Sequence, residues 1–311
     1  CTGTGSCPTR TKIEPMLQAL KVAALRRWYR FENRRAWHGS DVHAEPGALS
    51  LPTDAGRVDA HVYRGGSSAA ERPVLCWFHG GGWVIGDLQT HHPFCSALAA
   101  ATGCHVVSVD YRLAPEHPYP AALDDCSAAV RWLRRNLADL GPNNGRLVLG
   151  GDSAGGNLAA GCALDRATAG AGEELAPVTG ALLIYPVTDH YSAGHRSYTS
   201  RADSQRLTAS LMRWFWDRYL AGGDPASALP ARPLRADNLG ELPPTLVITC
   251  DRDPLRDEGV ALAERAAAAG VRVTHHHYDG AEHGFACGMG MTPEAEQTLQ
   301  QISSWRHSLD G

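Results

Sequence analysis

Between residues 58 and 62, Val58, Ala60 and Val62 alternate with Asp59 and His61. That period of two predicts a strand with one solvated face. The pattern then changes. Residues 74–78, 105–109, 147–149, 181–185 and 247–250 are short runs dominated by apolar side chains, as expected for strands covered on both faces. A shorter run, 271–273, predicts one more. Helical periodicity separates these runs. Residues 13–29 predict a helix with Leu17, Leu20, Ala24 and Trp28 on one face and Arg26 and Arg27 beside it. Pro120 opens a second helix, carrying Leu123, Val130, Leu133 and Leu137, which ends at Gly141-Pro142. An Ala-rich helix follows residue 153, and a last helix covers 295–305. Residues 65–68 and 170–172 read as loops. Strands alternating with helices predict an α/β fold: a mostly parallel central sheet with helices on both faces.

Residues 189–223 break the alternation. A polar loop leads into a helix with Leu211, Met212, Trp214, Phe215, Trp216 and Tyr219. Its bulky side chains fit ordinary core packing. They equally fit a helical cap over a site, formed with the N-terminal helix, in which Trp83, Trp214, Phe215 and Trp28 line an apolar cleft. The expected organisation is an N-terminal helical cap segment (1–45), a first core part (46–188), a cap insertion (189–225) and a second core part (226–311).

Composition narrows the class without deciding it. The chain has 311 residues, 43% hydrophobic and 20% charged, enough for one large α/β domain plus an insertion. A formal charge of −4 gives no reason to expect a nucleic acid or an anionic membrane as partner. No apolar run reaches spanning length. The nine cysteines form no CxxC pair, so buried free thiols in a reducing, cytoplasmic compartment are expected. The first residues carry no secretory signal pattern. His275-His276-His277 puts only alternate rings on one strand face, with no carboxylate or thiol at ligand spacing, so a polar strand is expected there and not a metal site.

The chemistry lies in three separated segments. Gly151-Asp152-Ser153-Ala154-Gly155 joins an apolar strand to a helix, a setting that lifts a serine hydroxyl clear of its backbone. His79-Gly80-Gly81-Gly82-Trp83 follows another strand and presents bare backbone N–H groups. Fixed donors of this kind, here Gly81, Gly82 and Ala154, can lower an acyl-transfer barrier by roughly 3–4 kcal/mol each. Far downstream lie Asp251, Asp253 and His283. His283 would take the Ser153 proton, and on chemistry alone either aspartate could hold the imidazole.

Taken together, these segments resemble the hormone-sensitive-lipase-like family of carboxylesterases, of the α/β-hydrolase fold. The resemblance rests on His79 to Gly82, Asp110 to Pro118, Gly151 to Asn157, Tyr185-Pro186, Asp253 to Gly259 and His283 to Phe285, in unbroken order. It implies Ser153, Asp253 and His283 as catalytic residues, the aspartate being the one before Pro-Leu. It also implies an oxyanion hole from the second and third glycines, and an acyl pocket formed by the cap. Hydrolysis of short- to medium-chain acyl esters through an acyl-enzyme follows, with a small-molecule ester as partner and no cofactor or metal. The resemblance is compatible with a homodimer formed through the late strands. Amide or carbamate hydrolysis, acyl transfer, and a non-catalytic small-molecule binder on the same fold are the alternatives.

Overall fold

The computed structural model describes residues 10–39, 45–66, 72–165 and 175–309. An eight-stranded sheet organises the chain in the order β1-β2-β4-β3-β5-β6-β7-β8. Strands β1 (Gly47–Thr53) and β2 (Gly56–Tyr63) are antiparallel to each other, and β2 is antiparallel to β4 (His105–Val109). All remaining neighbours are parallel: β3 (Val74–Phe78), β5 (Leu147–Asp152), β6 (Val178–Ile184), β7 (Thr245–Arg252) and β8 (Val273–Glu282).

The continuously apolar strands are central for a simple reason. Successive side chains point to opposite faces, so a strand with no polar position needs cover on both. In β3, Val74, Cys76 and Phe78 enter one core, and Leu75 and Trp77 enter the other. The first core is closed by α3 (Ala121–Asn136), α4 (Ala154–Leu164) and α7 (Arg256–Ala268), the second by α2 (Leu88–Thr102) and α8 (Pro293–His307). Helix α2 begins at a capping box: Asp87 accepts the N–H of Gln89 and Thr90, and Thr90 Oγ1 accepts the N–H of Asp87.

Two features differ from the sequence pattern. Helix α1 (Arg10–Ala36) does not pack through the Leu20–Ala24–Trp28 stripe. Its packed side carries Val22, Leu25, Tyr29 and Asn33, and Trp37 follows them just past the helix end. Arg26 explains the rotation, because its guanidinium bonds the carbonyls of Val84 and Ala114 and both oxygens of Glu116 at 2.8–3.1 Å. Polar partners beneath the helix make an arginine part of the packed face. The side chain of Leu17 lies outside the described residues. Strand β8 starts at Val273, not Val271, and runs to Glu282, so His283 follows a strand end directly. His275 and His277 do share a face, both within 2.8 Å of Thr249 Oγ1.

Beyond β6 the chain builds a short α5 (Ser197–Ser200), α6 (Ala209–Leu220) and several single turns before β7. Arg218 of α6 donates to Gln18 of α1 at 3.2 Å, so these two stretches touch. Residues 67–68, 170–172, Cys1 and Cys7 lie outside the described residues. No helix among those described is long and apolar enough to cross a membrane.

Candidate active site

Strand β5 delivers Ser153 to the carboxyl-end edge of the sheet. The turn between β5 and α4 is sharp, with Ser153 at φ 54° and ψ −118°. A side chain at positive φ is strained, and hydrogen bonds on both sides hold it. Ser153 N–H donates to Ile184 at 2.8 Å, and its carbonyl accepts from Asn157 and Val187. Asn157 also donates to the carbonyls of Val187 and Ala231, both at 2.9 Å. The crossing demands glycine at 155, since a Cβ there would stand 1.9 Å from the Phe78 carbonyl oxygen.

The loop after β3 comes alongside. Asp152 accepts the Gly80 N–H at 2.9 Å and lies 3.2 Å from His91 Nε2, which ties the nucleophile turn to the glycine loop. His79 is buried, stacked on Tyr111 at 4.3 Å, and Tyr111 donates to the His79 carbonyl at 2.6 Å. Burial pushes the His79 imidazole down to about 4, so the ring is neutral at neutral pH. Gly82 has φ +58°, and a Cβ there would enter the Phe215 ring. Among the described residues, the amide N–H groups of Gly81, Gly82 and Ala154 have no protein acceptor. Ala154 opens α4, where the amide has no intrahelical partner in any case.

Two later segments complete the geometry. His283 Nε2 lies 3.0 Å from Ser153 Oγ, and His283 Nδ1 lies 2.7 Å from Asp253 Oδ2. With Nδ1 donating to the carboxylate, Nε2 is left to accept the serine hydroxyl. Asp253 is fully buried. Its second oxygen accepts the Leu255 N–H at 2.8 Å. The Tyr185 ring packs beside His283 at 4.6 Å. Asp251 points elsewhere, to Arg201 at 2.8 Å and Arg256 at 3.2 Å. The Arg201 hydrogen bond holds its carboxyl below the usual range.

The aromatic residues separate. Phe215 packs on the glycine loop, and Trp214 meets it edge-on at 5.4 Å. Trp83 does not line an open cleft. It is fully buried behind the loop, stacked on Tyr219 at 4.2 Å with Trp216 at 4.6 Å. Trp28 is also outside any cleft wall, being exposed on the outer side of α1. An open cleft of about 1120 Å³, lined in part by Arg112, Leu123, Asp165 and Pro230, touches none of the residues above.

The sequence did not single out Glu258 or His91. Glu258 lies on the first turn of α7, where an acid ordinarily favours the helix dipole from the surface. Here it is fully buried, and its Oε1 accepts the N–H of Thr188 at 2.8 Å and of Asp189 at 3.3 Å. Burial pushes the carboxyl well above its ordinary 4.5. An unfolded chain releases this proton near that value, so folding takes a proton up above it. This stabilising contribution is complete at low pH and fades as pH rises toward the folded-state value. Glu258→Gln keeps an acceptor for both amides and cannot ionise. Calorimetry is expected to show the variant gaining Tm relative to the parent as pH rises from about 5 to 8; a difference constant with pH would contradict the buried acid.

Comparison with known proteins extends these observations. The profile of a family described as alpha/beta hydrolase fold matches residues 75–287. Over 279 residues the chain is 40% identical to an esterase, LipI, of Mycobacterium tuberculosis, covering 87% of this chain and 85% of that one. It is 41% identical over 243 residues to the carboxylesterase NlhH of the same organism, covering 76% and 74%. Among solved structures, a hyperthermophilic esterase from the archaeon Pyrobaculum calidifontis superposes with a TM-score of 0.84 at 36% identity, covering 97% of this chain and 99% of that one.

Proposed function

Because the chain belongs to the hormone-sensitive-lipase-like carboxylesterases and is a carboxylic ester hydrolase of the alpha/beta hydrolase fold, we propose that Ser153, His283 and Asp253 carry its reaction on short- to medium-chain acyl esters. The observation that carries this reading is the unbroken line from Ser153 Oγ through His283 to Asp253, at 3.0 and 2.7 Å. Ser153 Oγ attacks the ester carbonyl carbon while His283 Nε2 takes the hydroxyl proton. Asp253 fixes the ring and stabilises the imidazolium. The carbonyl oxygen gains negative charge, which the N–H groups of Gly81, Gly82 and Ala154 meet with donors already in place. Collapse breaks the ester C–O bond, and His283 returns the proton to the departing alcohol. Water then attacks the acyl-enzyme, gives its proton to Nε2, and frees the acid and Ser153.

In this reading the cap comes from the described part of residues 1–45 and from residues 189–225. Support comes from the Arg218–Gln18 bond and from Phe215 packing on Gly82. An aromatic wall this close to the oxyanion donors favours compact acyl groups. The seven described cysteines are all buried and free, which supports a reducing, cytoplasmic setting. A series of p-nitrophenyl esters of increasing acyl length is expected to give its highest kcat/KM at short to medium chains, with a matched anilide far slower. A maximum at long chains, or an anilide as fast as the ester, would refute the substrate assignment.

A further inference from the structure

Helix α1 exposes a row of apolar side chains on its outward side. Leu20, Trp28 and Phe31 are 59%, 57% and 61% exposed. With exposed Ala24 they recur at three- and four-residue spacing, so they form one stripe along the helix. The stripe lies opposite the packed Val22, Tyr29 and Asn33. Scattered apolar residues on a surface mean little, but a contiguous aromatic stripe marks a docking face. Its borders are cationic. Between residues 18 and 39 the chain carries Lys21, Arg26, Arg27, Arg30, Arg34 and Arg35 against a single acid, Glu32. Arg26 and Arg30 pair with Glu116 and Asp87, and Arg35 pairs with Glu32 at 3.5 Å. Lys21, Arg27 and Arg34 are exposed and have no ionic partner among the described residues.

We infer that this face of α1 docks on an anionic lipid surface, with Leu20, Trp28 and Phe31 at the headgroup boundary and the bordering cations on lipid phosphates. Aromatic and aliphatic side chains flanked by Lys and Arg are the pattern of helices that lie in a membrane interface. Each basic side chain near such a surface adds to its hold. A second copy of the chain is disfavoured as occupant, because a two-fold contact through this stripe sets like charges against each other. The overall charge of −4 conceals the surface, since the acids lie elsewhere. The location also suits an esterase. The inner side of α1 bonds Val84 next to the glycine loop, and Trp37, just past its end, bonds the Cys287 carbonyl beyond His283. Docking therefore brings lipid to within about one helix diameter, ~10 Å, of the segments that carry the site.

The test is co-flotation of the full chain with vesicles of phosphatidylglycerol and phosphatidylcholine in equal parts, against vesicles of phosphatidylcholine alone. The expected result is flotation with the anionic vesicles only, reversed by raised salt. Leu20→Ser/Phe31→Ser and Arg27→Glu/Arg34→Glu are each expected to weaken partitioning by about tenfold or more. Their kcat/KM for dissolved p-nitrophenyl acetate is expected to stay at the parent value, which shows that the fold is intact. Failure of the parent chain to float, equal flotation with neutral vesicles, or undiminished flotation of both variants would overturn the inference. So would a dimer, seen by sedimentation without lipid, that dissociates in the same variants while vesicles capture nothing.

Discussion

Ser153→Ala is expected to lower kcat toward p-nitrophenyl butyrate by about 10⁶-fold, with the thermal transition near that of the parent enzyme. The size of the loss comes from the unit the hydroxyl belongs to. Without Oγ there is no acyl-enzyme, and the base and its carboxylate have nothing to activate. The oxyanion donors still bind and polarise an ester, which leaves a small residual rate above that in water. The fold should tolerate the change, because the bonds that hold the turn run through the backbone of residue 153: its N–H to Ile184 and its carbonyl to Asn157 and Val187. Alanine keeps all three. Steady-state kinetics and circular dichroism on the same preparation check the claim. Turnover within an order of magnitude of the parent would remove Ser153 from the chemistry.

A comparison of the two neighbouring aspartates should give the second largest effect. Asp253→Asn is expected to cost about 10⁴-fold in kcat, and Asp251→Asn no more than a few-fold. An amide at 253 still accepts the Leu255 N–H, now held by Asp253 Oδ1 at 2.8 Å. It then presents an NH₂ to His283 Nδ1. That favours the tautomer protonated on Nε2, which cannot take the serine proton. Asp251 faces Arg201 and Arg256 near the surface, where exposed ion pairs contribute little. A larger loss from Asp251→Asn than from Asp253→Asn would reverse the assignment.

The glycine loop, the nucleophile turn and the apolar strands were readable in the sequence because backbone geometry restricts them to few residue types. Gly155 is an example, since the Phe78 carbonyl leaves no room for a side chain there. Residue chemistry alone left Asp251 and Asp253 open, because the choice depends on which carboxylate the start of α7 turns toward His283. Only the family resemblance favoured Asp253. The packing side of α1 was not legible for a related reason. Helical periodicity counts apolar side chains, whereas this helix is held by Arg26 on buried carbonyls and Glu116. Trp83 reads as a cleft residue from its place beside the glycines, yet Tyr219 and Trp216, more than 130 residues away, cover it. Glu258 and His91 look like surface residues on helices until Thr188 and Asp152 supply their partners. Local constraints leave a trace in a short window of sequence, while partners brought together by the sheet do not.

Labelling with a fluorophosphonate, followed by peptide mass mapping, tests the joining of the three segments most directly. Such a reagent modifies a serine only where a base removes its proton and donors receive the phosphoryl oxygen. The expected result is a single adduct on Ser153, formed in proportion to lost esterase activity, absent from Ser153→Ala and strongly slowed in Asp253→Asn. Complete modification of Ser153 with turnover intact, or loss of activity through an adduct at another serine, would contradict it.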